Sequence, residues 1–140
     1  MTQLLCKRLG LGDDNFNSSA IYHIPYVRTT QTAKLAHAEL ARVLADKKLE
    51  LPVLQASDVL IGSHSSGEVT EWLSQFHLPL IILVSHQPLV SNLVDWLVEG
   101  GSTASQGFSS QYSMAPASVA VLEGDLLERG LCELKFMLHA

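Results

Sequence analysis

The longest unbroken aliphatic run of the chain, Leu80 to Val84, carries no polar residue that could face water. Such a run is typical of a strand buried on both faces, as a central parallel strand is. After it, Pro88 supplies a fixed φ for a first helical position, and apolar residues recur at helical spacing as far as Gly100-Gly101. The pattern predicts a buried strand over 80–84 and a helix that begins at Pro88.

A second strand-to-helix passage lies earlier in the chain. Ala20 to Ile24 has strand propensity and is ended by Pro25. A helix follows from about Thr30 to Ala45, since its apolar residues fall on one face: Ala33, Ala36, Leu40, Val43 and Leu44. This pattern predicts that Arg28 stands just before the first helical turn.

The remaining segments also alternate between strand and helix patterns. Leu51 to Leu60 holds a short strand, and Ser65 with Glu68 has the spacing of a capping box that opens a short helix. Two further strands are predicted over Ser118–Leu122 and Cys132–Leu138, and Gln3–Cys6 could form a first one. This alternation, without repeats or a visible boundary, predicts one α/β domain over residues 1–140.

Composition narrows the classes of partner and compartment. The 140 residues are 47% hydrophobic and 16% charged, and 9 Lys+Arg against 14 Asp+Glu give a net charge of −5. This balance argues against a broad electrostatic grip on nucleic acid or on anionic lipid. With no long apolar segment, and with Cys6 and Cys132 best interpreted as buried thiols, we expect a soluble, cytoplasmic protein.

Two residues stand where an anion could bind. His86 lies at the carboxyl end of the predicted strand and the amino end of the next helix, where free N–H groups and a positive dipole favour phosphate. Arg28 stands at the amino end of the earlier helix, where a cation does not stabilise the dipole. A cation in that place hints at a bound anion, although a capping histidine and a solvated arginine remain the plainer alternatives.

Taken together, Ile24-Pro25-Tyr26-Val27-Arg28-Thr29-Thr30-Gln31-Thr32 and Leu83-Val84-Ser85-His86-Gln87-Pro88-Leu89-Val90 resemble the histidine phosphatase superfamily. The likeness is greatest to its small SixA-type phosphohistidine phosphatases, and it covers roughly Ala20 to the carboxyl terminus. The resemblance implies a single three-layer domain with a mostly parallel central sheet and helices on both faces. Residues 1–19 match the family poorly.

The resemblance also implies a mechanism. In the family, one histidine attacks phosphorus and carries the phosphoryl group, while arginines and a second histidine stabilise the transferring oxygens. Guanidinium groups suit this role because they match phosphate geometry and keep their charge. By resemblance Arg28 is the family's phosphate-binding arginine and His86 its second histidine, the substrate is phosphohistidine on a phosphoprotein, and no cofactor is needed.

The amino-terminal segment departs from the family pattern. The family's first strand ends in Arg-His-Gly with the nucleophilic histidine in the middle, whereas Lys7-Arg8-Leu9-Gly10 keeps the arginine and the glycine only. Arg8 is therefore a third candidate site residue, and Leu9 cannot accept a phosphoryl group. A short acidic segment joins Gly10 to Ala20 where the family has a helix, and Ile24 replaces the family's serine before proline.

Three explanations of Leu9 stay open at this point. The chain could be a shortened, catalytically inactive relative that still binds phosphorylated ligand, a different histidine such as His23 could attack, or the amino terminus could be a mis-started or rearranged version of a normal phosphatase. An interaction domain with an empty site is the plainest alternative. The six histidines include no His-x-x-x-His pair, and neither cysteine lies in a phosphate-cradling loop, so metal and cysteine chemistry are disfavoured.

Overall fold

The computed structural model describes residues 19–46, 51–61, 64–76, 78–100, 114–115 and 117–139. The chain divides into two compact units, Met1–Asp58 with His77–Ser85 and Val59–Phe76 with His86–Ala140. The strand predicted over Gln3–Cys6 lies outside the described residues. That residues 1–140 form one domain stays a prediction.

The first unit contains a parallel sheet of three strands. Strands β1 (Ser19–His23), β2 (Val53–Ala56) and β3 (Leu80–Val84) are arranged in the order β2-β1-β3. Helix α1 (Val27–Asp46) connects β1 to β2 and packs against the sheet. Parallel neighbours joined through a helix confirm the mixed α/β class, whereas the three-layer arrangement stays a prediction.

The central strand among those described is β1, and this corrects the sequence prediction for residues 80–84. All five residues of β1 are buried, whereas every residue of β3 is half-buried. The pattern predicts a strand here but does not indicate its full burial, because the polar residues Ser19 and His23 are buried at its ends and shorten its apolar run to three. The longer aliphatic run at β3 belongs to a strand at the side of the described sheet.

Helix α1 supplies the other half of this unit's core. Ala33, Leu40 and Leu44 recur on one face and pack with Ile21 of β1, all at 1% exposure or less. His37 on the same helix donates a hydrogen bond from Nε2 to the Pro52 carbonyl at 2.9 Å. That bond ties the middle of α1 to the segment before β2, which gives His37 a structural role.

The second unit combines helices with an antiparallel pair of strands. Helices α2 (Ser66–Leu73) and α3 (Leu89–Glu99) contact each other, and α3 also contacts β5 (Glu133–Leu138). Strand β5 pairs with β4 (Val119–Glu123) in a sheet separate from the first among the described strands. Both strands agree with the sequence prediction to within a residue, but they form a separate antiparallel pair where one mostly parallel sheet was expected.

Helix α3 begins and ends close to the predicted positions. Its first helical residue is Leu89, so Pro88 serves as N-cap and lies one residue outside the helix. Gly100 closes the helix with φ of 85°, a left-handed conformation that a glycine adopts without steric cost. Cys132 is buried near this end as the sequence predicted, and burial raises the pKa of its thiol.

Helix α2 opens on the predicted capping box. Ser65 Oγ accepts the Glu68 backbone N–H at 3.1 Å, and a carboxylate oxygen of Glu68 accepts the Ser65 backbone N–H at 3.4 Å. His64 Nδ1 lies 3.0 Å from the other carboxylate oxygen. The hydrogen bond with His64, followed by those with Ser65, holds the pKa of the Glu68 carboxyl below its usual range.

Replacing the capping serine tests how much this box stabilises the second unit. We expect Ser65→Ala to lower the free energy of unfolding by about 1 kcal/mol at neutral pH, because an N-cap side chain satisfies an otherwise unpaired amide. The lowered pKa of Glu68 makes its contribution present above the unfolded-state pKa and lost as pH falls through the folded-state pKa. The difference between wild type and variant should therefore shrink in acid, measured by urea denaturation.

Ser74→Ala at the other end of the same helix is the matched control. The Ser74 hydroxyl donates to the Glu71 carbonyl and caps no amide, so its loss should change stability by less than about 0.5 kcal/mol. Equal losses in the two variants would contradict the capping role of Ser65.

No helix within the described ranges is long and apolar enough to cross a membrane.

Candidate functional site

The ends of strands β1 and β3 lie side by side at one edge of the parallel sheet. His23 is paired with Val84 in the register, and the Ile24 backbone N–H donates to the Val84 carbonyl at 3.2 Å. Because the strands are parallel, both have their carboxyl ends at this edge. The segment leading to Arg28 therefore starts beside the strand end that precedes Ser85 and His86 in the chain.

Arg28 lies inside the first turn of α1, which begins at Val27 rather than near Thr30. This corrects the prediction that it stands before the helix, since α1 starts directly after the Pro25-Tyr26 turn. Its side chain is exposed, and the first turn holds no acidic residue. A guanidinium at the positive end of a helix dipole is unfavourable unless an anion joins it, so the structure keeps the mismatch that the sequence indicated.

Short side-chain hydrogen bonds order the turn between β1 and α1. The Thr29 hydroxyl lies 2.9 Å from the Ile24 carbonyl and 3.0 Å from the Tyr26 carbonyl, and it can donate to either. The Thr30 backbone N–H donates to the Tyr26 carbonyl at 2.8 Å. These bonds fix the backbone on both sides of Arg28 while its long side chain stays at the surface.

His23 ends β1 with its side chain buried at 6% exposure. Its Nδ1 lies 2.8 Å from the Ile24 carbonyl, and because a carbonyl only accepts, Nδ1 carries the proton. In the neutral ring the lone pair is then on Nε2, which is the form of imidazole that can attack phosphorus or accept a proton. Thr30 Oγ1 lies 3.5 Å from Nδ1 and adds a second polar neighbour.

His86 belongs to the second unit and follows β3 by two residues. Its side chain is exposed, and Nδ1 donates to the Gln87 carbonyl at 2.9 Å. The same reasoning as for His23 puts the lone pair of the neutral ring on Nε2. In this tautomer Nε2 can accept a proton, and only the ring protonated at both nitrogens can donate from Nε2 to a phosphoryl oxygen.

The amino end of α3 departs from the expected anion-binding geometry. The Val90 N–H donates to the His86 carbonyl at 3.4 Å, and the Ser91 N–H donates to Gln87 Oε1 at 3.2 Å. The side-chain nitrogen of Gln87, Nε2, also donates to the Met114 carbonyl at 2.7 Å. Two amides of the first turn therefore already have acceptors within the chain.

The remaining candidates from the sequence are the amino-terminal residues and a metal site. Arg8 and Leu9 lie outside the described residues. Among the residues that are described, no three His, Cys, Asp or Glu side chains gather as metal ligands. Sequence reasoning did not anticipate that the Gln87 side chain accepts the Ser91 N–H, although its spacing of four residues from Ser91 is the available signal.

Comparison of the chain with protein-family models, with curated proteins and with solved structures finds no match.

Proposed function

We propose that this protein is a SixA-like phosphohistidine phosphatase that removes phosphate from a histidine of another protein. The observation that carries the proposal is the shared sheet edge, where β1 leads into the helix of Arg28 and β3 leads to His86. The order and spacing of the two motifs resemble the histidine phosphatase pattern. A guanidinium and an imidazole together suit a tetrahedral dianion.

The proposed reaction is hydrolysis of a phosphorus–nitrogen bond. The phosphoryl group leaves the substrate imidazole, the oxygen of water ends on phosphorus, and the leaving nitrogen takes a proton. Arg28 would neutralise charge on the phosphoryl oxygens, and protonated His86 would hydrogen-bond another of them. These contacts strengthen as charge gathers in the transition state, which is how they would raise the rate.

The attacking group is the open step of this mechanism because Leu9 stands where the family has its histidine. His23 is the chain's own alternative, since its Nδ1–H bond to Ile24 leaves the lone pair on Nε2. Attack by Nε2 on phosphorus would give a phosphohistidine on the enzyme, which water would then hydrolyse. Its burial at 6% exposure weighs against this role and in favour of a structural one.

A second candidate function follows from Leu9 alone. Without a nucleophile the same residues would bind a phosphorylated partner without turnover, which makes the protein a phosphohistidine-binding module.

One assay separates the two functions. The full chain is incubated with phosphoramidate and with a phosphohistidine peptide, and inorganic phosphate is measured. In parallel, a stable phosphonate mimic of phosphohistidine is titrated by calorimetry. We expect release of phosphate from both donors, and an acid-labile, alkali-stable label on the enzyme if a histidine carries the group. Binding of the mimic without release would favour the binding module, and neither release nor binding would remove both.

A further inference from the structure

One side of helix α1 is exposed along more than half of its length and has an unusual composition. Between Val27 and Ala38, exposed residues on this side recur at intervals of three and four, and we name them the α1 outer stripe: Val27, Arg28, Gln31, Lys34, Leu35 and Ala38. They lie opposite the face formed by Ala33, Leu40 and Leu44, which packs on the sheet. The stripe is therefore a continuous surface and not a set of scattered positions.

Two aliphatic side chains dominate the area of this stripe. Val27 is 74% exposed and Leu35 is 73% exposed. Among the residues that the structure describes, they are the two most exposed large hydrophobic residues. Single exposed aliphatics are ordinary, but these two lie on the same side of one helix, about 12 Å apart along its axis. Helix faces with this spacing are used to dock partner surfaces.

Charge gives the stripe its preferred partner. Between Val27 and Ala38 the helix carries Arg28 and Lys34 and no Asp or Glu, whereas the whole chain has a net charge of −5. The stripe is thus a local positive, apolar surface on an acidic protein, and the positive end of the helix dipole adds to it. Its complement is a surface with carboxylates beside aliphatic side chains.

We propose that the α1 outer stripe docks the substrate protein, through an acidic and partly apolar surface next to its phosphohistidine. This inference rests on the proposed function, because Arg28 at the start of the stripe is also the proposed phosphate contact. Leu35 lies seven residues further along the helix, about 10 Å from Arg28 along the axis. A small phosphoramidate bound at Arg28 cannot reach Leu35, whereas a protein surface can cover both.

The stripe predicts selectivity between substrates rather than a general loss of activity. We expect Leu35→Gln and Lys34→Gln each to raise KM roughly five-fold for a phosphohistidine peptide rich in Glu and Leu, which corresponds to partial burial of one side chain. Hydrolysis of phosphoramidate should stay unchanged. Glutamine matches leucine and lysine in helix propensity, so the helix should be preserved, and circular dichroism verifies this.

Leu131→Gln is the matched control, since Leu131 is 54% exposed and lies outside the stripe. A second peptide with Lys in place of every Glu reports the contribution of charge. The wild type should favour the acidic peptide, and the preference should weaken at high salt. Equal KM values for the acidic peptide in wild type, Leu35→Gln and Lys34→Gln would overturn the docking proposal.

A binding readout keeps this test independent of catalysis. Both peptides, made with the phosphonate mimic and a fluorophore, are titrated with each variant and followed by anisotropy. Hydrolysis of phosphoramidate by the wild type, together with equal peptide binding by wild type, Leu35→Gln and Lys34→Gln, would leave the proposed function standing and overturn the docking surface. Weaker peptide binding by the stripe variants, without turnover in the wild type, would support the docking surface and overturn the proposed phosphatase activity. No peptide binding by the wild type would overturn the docking surface.

Discussion

Under the proposed function, Arg28→Ala is expected to lower the rate of phosphate release from phosphohistidine by about 10²–10³-fold, because it removes a cationic donor to the charge that develops in the transition state. The variant should lose none of its stability. Arg28 lies in the first turn of α1, where a cation opposes the helix dipole, so alanine removes an unfavourable charge worth about 0.3–1 kcal/mol at low salt. Steady-state kinetics and thermal unfolding measure the two effects separately.

Arg42→Ala is the control for this prediction because Arg42 lies on the same helix but is paired with Glu39. Its loss should leave phosphate release unchanged and slightly lower stability, which is the opposite profile. His86→Ala should share the kinetic defect of Arg28→Ala if both contact the phosphoryl group. Full activity in both of these variants would remove the site assignment, whatever donor is used.

The fold could be predicted from sequence where the pattern is local. Three features depend only on neighbouring residues, and the structure has each of them. They are the strand at the aliphatic run 80–84, the capping box of Ser65 and Glu68, and the C-cap at Gly100. The order of strands could not be predicted, because it depends on pairing between residues far apart in the chain. The buried polar residues Ser19 and His23 made β1 look peripheral, although it is the central described strand.

The sequence proposes residues for the candidate site but not the hydrogen bonds around them. Arg28 and His86 stand out because they follow strand ends, and strand ends are visible in the pattern. The hydrogen bond from the Ser91 amide to Gln87 depends on the side-chain rotamer of Gln87, which no periodicity encodes. The sequence did not reveal that amides at the start of α3 already have acceptors within the chain.

Ile21→Ala is expected to have the largest effect on stability, lowering the free energy of unfolding by about 3 kcal/mol. Ile21 is fully buried at the centre of β1, and its register partners are Leu54 of β2 and Ile82 of β3. Truncation leaves a cavity between the sheet and α1, which the strands on both sides prevent from collapsing. Domains of this size are stable by about 5–15 kcal/mol, so the loss is a large fraction of the total. Urea denaturation with extrapolation to water measures it.

Two further variants show whether the loss comes from the cavity. Ile21→Val removes a single methylene and should cost about 1 kcal/mol, whereas Leu35→Ala on the exposed side of α1 should stay within about 0.5 kcal/mol. The graded series follows from burial, since Ile21 is at 0% exposure and Leu35 at 73%. Similar losses of stability in Ile21→Ala and Leu35→Ala would contradict the burial of Ile21 in a core between α1 and the parallel sheet. The sheet edge that carries the proposed phosphate site would lose its support with it, because β1 positions both His23 and the turn to Arg28.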